Sequence, residues 1–202
     1  MREYNAVLET IVQRRSIRNF TSEQISDEQL QTILNAGLYA PNAGGVQSCV
    51  FVVCQDAALN KELGVINVEV LRELVAKGRH RRTEPGKPSL PERSAQRSSG
   101  FYDAPTVITI FAPNSYNQTM DCAVAAQNML LAAHSVGVSG CIAARATETF
   151  ATERGQELQT MWGVKEGLEA KLHVLLGYAS EPLPEPKPRK TDRVIWVRQG
   201  EK

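Results

Sequence analysis

The run at residues 121–136, DCAVAAQNMLLAAHSV, is apolar nearly all the way round a helical wheel. Such a helix is buried on most sides or lies in a subunit interface, and its alanines let neighbours approach closely. Gly137 ends it. Everything else in the 202 residues has to be arranged around that helix.

The flanking pattern supplies the partners. Tyr4, Val7, Leu8, Ile11 and Val12 repeat at helical spacing, which predicts a first helix with one face against a core. Ser26 and Gln29 form a capping box, with Ile25 and Leu30 as its hydrophobic staple. The second helix that starts there carries Leu30, Ile33, Leu34 and Leu38 inward and ends near Ala40, because Pro41 disfavours α geometry in the residue before it. Residues 41–45 form a loop. Residues 48–54 (SCVFVVC) are a continuous β-rich run suited to a central strand. A helix follows with Leu59, Leu63, Ile66, Val70 and Leu74 on its stripe. Strands are expected at 106–112, 139–143 and 171–178, with a helix over 148–161. The predicted class is α+β, built on one small mixed sheet.

Two segments depart from this style. Residues 77–100 are rich in Arg, Pro, Ser and Gly and read as a basic excursion or lid. Residues 181–188 (EPLPEPKP) form a polyproline-like arm, and 193–198 (RVIWVR) read as a terminal strand. A lone strand on an arm leaves an unpaired edge, so it is expected to pair with a sheet, that of a second subunit included. The expected organisation is a single domain over 1–180 with an arm over 181–202.

Composition narrows the function. The 23 Lys and Arg against 22 Asp and Glu leave a net charge of +1, which gives no global field for nucleic acid. Neither a membrane-length apolar run nor a signal peptide is evident, so a cytoplasmic protein is expected. Cys49, Cys54, Cys122 and Cys141 lie in apolar segments with no C-x-x-C pair and read as buried, reduced thiols. His80, His134 and His173 have no metal-ligand spacing. Dinucleotide, phosphate-loop and nucleophile-elbow motifs are all missing.

Three segments suit an anion: Arg14-Arg15-Ser16-Ile17-Arg18, Asn42-Ala43-Gly44-Gly45 and Lys187-Pro188-Arg189-Lys190. Guanidinium forks with a hydroxyl match a phosphate monoester, although cations at a helix end also serve as ordinary C-terminal charges.

In order along the chain, QRRSIRNF (13–20), APNAGGVQS (40–48), FYDAPTVI (101–108), DCAVAAQNMLLAA (121–133) and PKPR (186–189) resemble the FMN-dependent nitroreductases. The resemblance implies an intertwined homodimer with FMN at the subunit interface and the arm embracing the partner. It assigns Arg14, Arg15, Ser16 and Arg18 to the FMN phosphate and ribityl chain, with Lys187 and Arg189 as a second basic pair. Pro41, Asn42, Ala43 and Gln47 match the loop that lies against the isoalloxazine from the other subunit. Ile142, Ala143 and Ala144 match the strand end near flavin N5. Relatives commonly read P-S-S-x-N-x-Q in the loop, where this chain has Asn42, Ala43 and Gly45. Some place a Lys where this chain has Gly100, so Arg97, and Arg145 after it, are the candidate cations for the flavin's pyrimidine side. The implied activity is ping-pong transfer of a hydride from NADH or NADPH, through FMN, to a nitroaromatic or quinone-like acceptor, with no protein nucleophile and no metal. Other flavin reactions of such proteins (enone reduction, dehalogenation, azoline dehydrogenation) and flavin binding with little turnover are the alternatives.

Overall fold

The computed structural model describes residues 5–78, 92 and 95–199. Four strands, β1 (Val50–Cys54), β2 (Thr106–Pro113), β3 (Ser139–Ala143) and β4 (Leu168–Gly177), form one sheet in the order β1-β2-β4-β3. The helices are α1 (Ala6–Gln13), α2 (Asp27–Leu38), α3 (Ala57–Ala76), α4 (Tyr116–Ser135), α5 (Ala146–Phe150) and α6 (Glu153–Met161). All three strand pairs are antiparallel. The parallel component expected of a mixed sheet is confined to an isolated bridge between Ser16 and Gly140. β1, expected to be central, is an edge strand, because its apolar residues are only half covered.

Helices cover both faces. On one, Ile108, Ile110 and Val174 pack with Ile33 of α2 and Cys122, Ala126 and Met129 of α4. On the other, Val107, Phe111 and Leu175 pack with Leu63 of α3, Phe150 of α5 and Leu158 of α6. That is why β2 is apolar at successive positions: a strand buried on both faces has no polar side to show.

Several expectations are corrected. α1 buries none of its residues, and Val7, Leu8, Ile11 and Val12 are all exposed; its stripe has no core to meet within one chain. α3 buries Asn60, Leu63, Gly64, Asn67, Val68 and Leu71, a face turned from the expected one. The helix expected at 148–161 is two, divided where Thr152 caps α6 by accepting from Gly155 N–H at 3.1 Å. Residues 193–198 make no strand and pair with no strand among the described residues of their own chain, and Val194, Ile195, Trp196 and Val197 are 68–94% exposed. Cys54, Cys122 and Cys141 are buried, Cys49 is half-buried, and all four are free. Most of the basic excursion lies outside the described residues.

β3 is the other edge of the sheet. Ile17 N–H donates to Gly140 O at 3.1 Å, so the segment after α1 runs along that edge. Gly140 is required there, because a Cβ would stand 2.6 Å from the Leu175 carbonyl oxygen.

His173 on β4 is fully buried between Phe101 and Phe150, its Nδ1 2.9 Å from Thr109 Oγ1 and its Nε2 without a partner. Burial, with a smaller contribution from Arg145, pushes its pKa down to about 3. The native ring stays neutral while the unfolded ring, with an ordinary value near ~6.5, takes up a proton as the pH falls. Stability therefore drops from about pH 6.5 towards pH 3, by up to ~1.4 kcal/mol per pH unit from this group. Urea unfolding of His173→Gln across that range is expected to show a correspondingly shallower loss than wild type; equal slopes would refute the assignment.

Candidate active site

The site is built where the segment after α1 meets the β3 edge. Arg14 closes α1, and its N–H donates to Thr10 O at 3.0 Å. Its guanidinium lies half-buried near those of Arg15 and Arg189, and burial followed by these two neighbours lowers its pKa. Arg14 Nε is buried with no partner. Arg15 is held by the carbonyls of Val12 and Arg14, each at 2.7 Å, and by Pro184 O at 3.0 Å, which ties the arm to this corner. His134 feels the same cations: burial first, then Arg14 and Arg15, depress its pKa. Ser16 Oγ lies 3.5 Å from Arg14 Nη1. Among the described residues no ion pair engages Arg14, Arg15 or Arg189.

Like charges held together with an orphaned donor in their midst are costly unless an anion joins them. The donor set of guanidiniums and a serine hydroxyl fits a phosphate dianion. Of the expected basic pair on the arm, Arg189 is near enough to act on Arg14; both Lys187 and Arg189 are exposed.

A second basic group surrounds Tyr102. Arg18, expected with the phosphate and ribityl set, lies here instead, its guanidinium 5.9 Å and that of Arg97 5.3 Å from the centre of the ring. Arg145, two residues past β3 at φ 69°, is near enough to interact with both Tyr102 and Arg97, and burial lowers its pKa. Its position is fixed by Asn67: Arg145 Nη2 donates to Asn67 Oδ1 at 2.9 Å and Nε to Asn67 O at 3.4 Å. Asn67 Nδ2 donates in turn to Ala144 O at 2.9 Å and Thr149 Oγ1 at 3.0 Å. One buried amide therefore sets both the backbone at Ala144 and the nearby cation. Gly100 packs against the same amide; a Cβ there would meet Asn67 Oδ1 at 2.2 Å. Ile142 and Ala144 are exposed at the strand end, while Ala143 points into the core.

The loop holding Pro41, Asn42, Ala43 and Gln47 stands apart from both groups and lines a cleft of about 420 Å³ with Tyr39, Cys49 and Asp121. Asp121 on α4 anchors it, both carboxylate oxygens accepting from Ala43 N–H at 3.1 and 3.2 Å. Asn42 Oδ1 accepts from Gln47 N–H at 2.8 Å, so that side chain shapes its own loop, and Gln47 takes a left-handed φ of 53°. Sequence reasoning missed Asn67, Tyr102 and Asp121. The recurrence of Asn60 and Asn67 on one helical face was the available signal for the first.

A model of the nitroreductase family matches residues 11–178. A nitroreductase with bound FMN from Bacteroides fragilis NCTC 9343 is 30% identical and superposes over 96% of this chain and 100% of that one, with a TM-score of 0.79. Another with bound FMN, from Desulfitobacterium hafniense DCB-2, is 27% identical, covering 97% and 100% with a TM-score of 0.82. An NADPH-flavin oxidoreductase of Vibrio harveyi is 28% identical over 198 residues, 95% of this chain and 72% of its own. A family match that takes in all four strands, with a solved relative 30% identical along its full length, places this chain in the nitroreductase family.

Proposed function

We propose that the protein is an NAD(P)H-dependent FMN oxidoreductase acting on nitroaromatic or quinone-like acceptors. The observation that carries this reading is the cluster of Arg14, Arg15 and Arg189, unpaired with any acid among the described residues and holding the orphaned Arg14 Nε. FMN, when bound, supplies two-electron chemistry, taking a hydride from a nicotinamide and passing it to the acceptor. NAD(P)H as donor is supported by relatives that include the NADPH-flavin oxidoreductase.

The chain's own groups bind and stabilise. Arg14, Arg15, Ser16 and Arg189 hold the phosphate, with Lys187 adding charge from the arm. Arg18, Arg97 and Arg145 converge at Tyr102 to stabilise negative charge on the pyrimidine side; cations fixed before reaction lower the cost of developing charge without reorganising. Arg145 is the best anchored of the three, through Asn67. Ile142 and Ala144 face the reactive edge, and the 41–47 loop, Gln47 included, meets the flavin bound by the other subunit.

That last role needs a homodimer. Val7, Leu8 and Ile11 of α1, Tyr39 after α2, Met120 of α4 and Val194–Val197 of the tail are exposed apolar groups, more than a monomer leaves bare. A second copy of the chain covers them, with residues 193–198 finding an edge there. Four free thiols suit a reducing, cytoplasmic setting.

The direct test is anaerobic addition of NADH or NADPH to the FMN-loaded protein: bleaching of the flavin spectrum is expected, and an unchanged spectrum with both donors would refute the reading. Arg14→Ala and Arg189→Ala are each expected to weaken FMN binding by about 1.5–3 kcal/mol, the scale of a charge-assisted hydrogen bond; a fluorescence titration showing unaltered affinity in both would remove the phosphate assignment. Truncation after Ser180 is expected to yield monomer or aggregate by light scattering, against a dimer for the full chain. A flavin-loaded dimer from the truncated chain would contradict the arm's role.

A further inference from the structure

Cys49 and Cys122 stand together although 73 residues separate them, their Sγ atoms 3.5 Å apart. Cys49 lies just before β1 in the wall of the cleft beside the 41–47 loop, half-buried and reachable. Cys122 is wholly buried on α4, next to Asp121, the residue that holds the loop by Ala43. Cys54 and Cys141 are buried elsewhere. A shared hydrogen bond between two thiols divides their roles. The bond from Cys122 lowers the Cys49 pKa against the opposing effects of burial and Asp121, while the same bond and burial push the Cys122 thiol up. Cys49, in the cleft wall, is therefore favoured over Cys122 as the thiolate, the reactive form. A disulfide bond of about 2.05 Å requires the sulfurs to close by only ~1.5 Å.

We propose that Cys49 and Cys122 are a peroxide-oxidised dithiol that closes reversibly to a disulfide, stapling the loop-bearing chain to α4. The Cys49 thiolate attacks hydrogen peroxide; an S–O bond forms, the O–O bond breaks, and hydroxide leaves to take up the proton Cys49 had lost. Cys122 sulfur then attacks the resulting sulfenic acid. The S–S bond forms, the S–O bond breaks, and the departing hydroxide leaves as a second water with the Cys122 proton. Two electrons pass from the sulfurs to one peroxide, giving two waters. The link joins a position two residues beyond Gln47 to the residue after Asp121, so the loop gains a covalent tether beside its carboxylate anchor. In a reducing compartment such a disulfide is transient, because a thiol reductant reopens it.

The test uses the full chain, reduced, freed of reductant and exposed to hydrogen peroxide before denaturation, alkylation and peptide mapping. Two of the four thiols are expected to resist alkylation, with one linked peptide pair joining Cys49 to Cys122, two hydrogens lighter than its parts, and dithiothreitol restoring both. In Cys122→Ala the oxidation is expected to stop at Cys49 sulfenic acid, trapped by dimedone. Four alkylatable thiols after peroxide, or linkage through Cys54, Cys141 or between chains, would overturn the proposal. The mapping needs neither flavin nor turnover. Protein stripped of FMN gives the same answer, so failure of the flavin reading and failure of this one are separate results.

Discussion

A sheet of only four strands that is covered on both faces leaves no position on its two inner strands for a polar side chain that lacks a partner. β2 and β4 meet this with apolar residues on both faces; of their buried polar groups, Thr106 is held by Gln24 and Gln55, and Thr109 and His173 bond each other, which leaves only His173 Nε2 bare among them. Function is thereby forced to the periphery. The β3 edge and the segments laid along it carry the cations, and the opposite end of the molecule, where α2 stops and α4 starts, carries the loop.

The two regions are held by different physics. The loop is fixed by neutral and carboxylate hydrogen bonds that are complete within one chain, with Asp121 and Asn42 satisfying backbone N–H groups. The arginine corner is incomplete by itself. Its cations repel one another, its buried Nε has no acceptor, and the arm that supplies Arg189 makes its recorded backbone contact through Pro184 alone among the described residues. An anion bound there would relieve repulsion and satisfy a donor together, which is the physical basis of the proposed phosphate site.

Much of this was legible in the chain. The Ser26 capping box, the 139–143 strand and the loop begun by Pro41 follow from local chemistry and appear where expected. What local chemistry leaves open is which surface covers an apolar face. The stripe on α1 and the VFVVC run read as interior and the VIWV tail as a strand paired with a sheet; in one chain they are an exposed helix, an edge strand and an unpaired tail. The basic segments were likewise visible as charges, but that Arg189 of the arm comes near Arg14 of the α1 end is a tertiary fact. Asn67 was hidden because an amide inside a helical apolar pattern looks like an interruption, and only tertiary contacts show it bonded at every atom.

The contact between Gly100 and Asn67 restricts which sequences can follow from this one. A side chain at position 100 displaces the amide, and with it the grip on Arg145 and on the backbone at Ala144. A lysine at 100 would therefore come at the cost of the fixed arginine at 145, so in this chain the two positions cannot both present an anchored cation beside Tyr102.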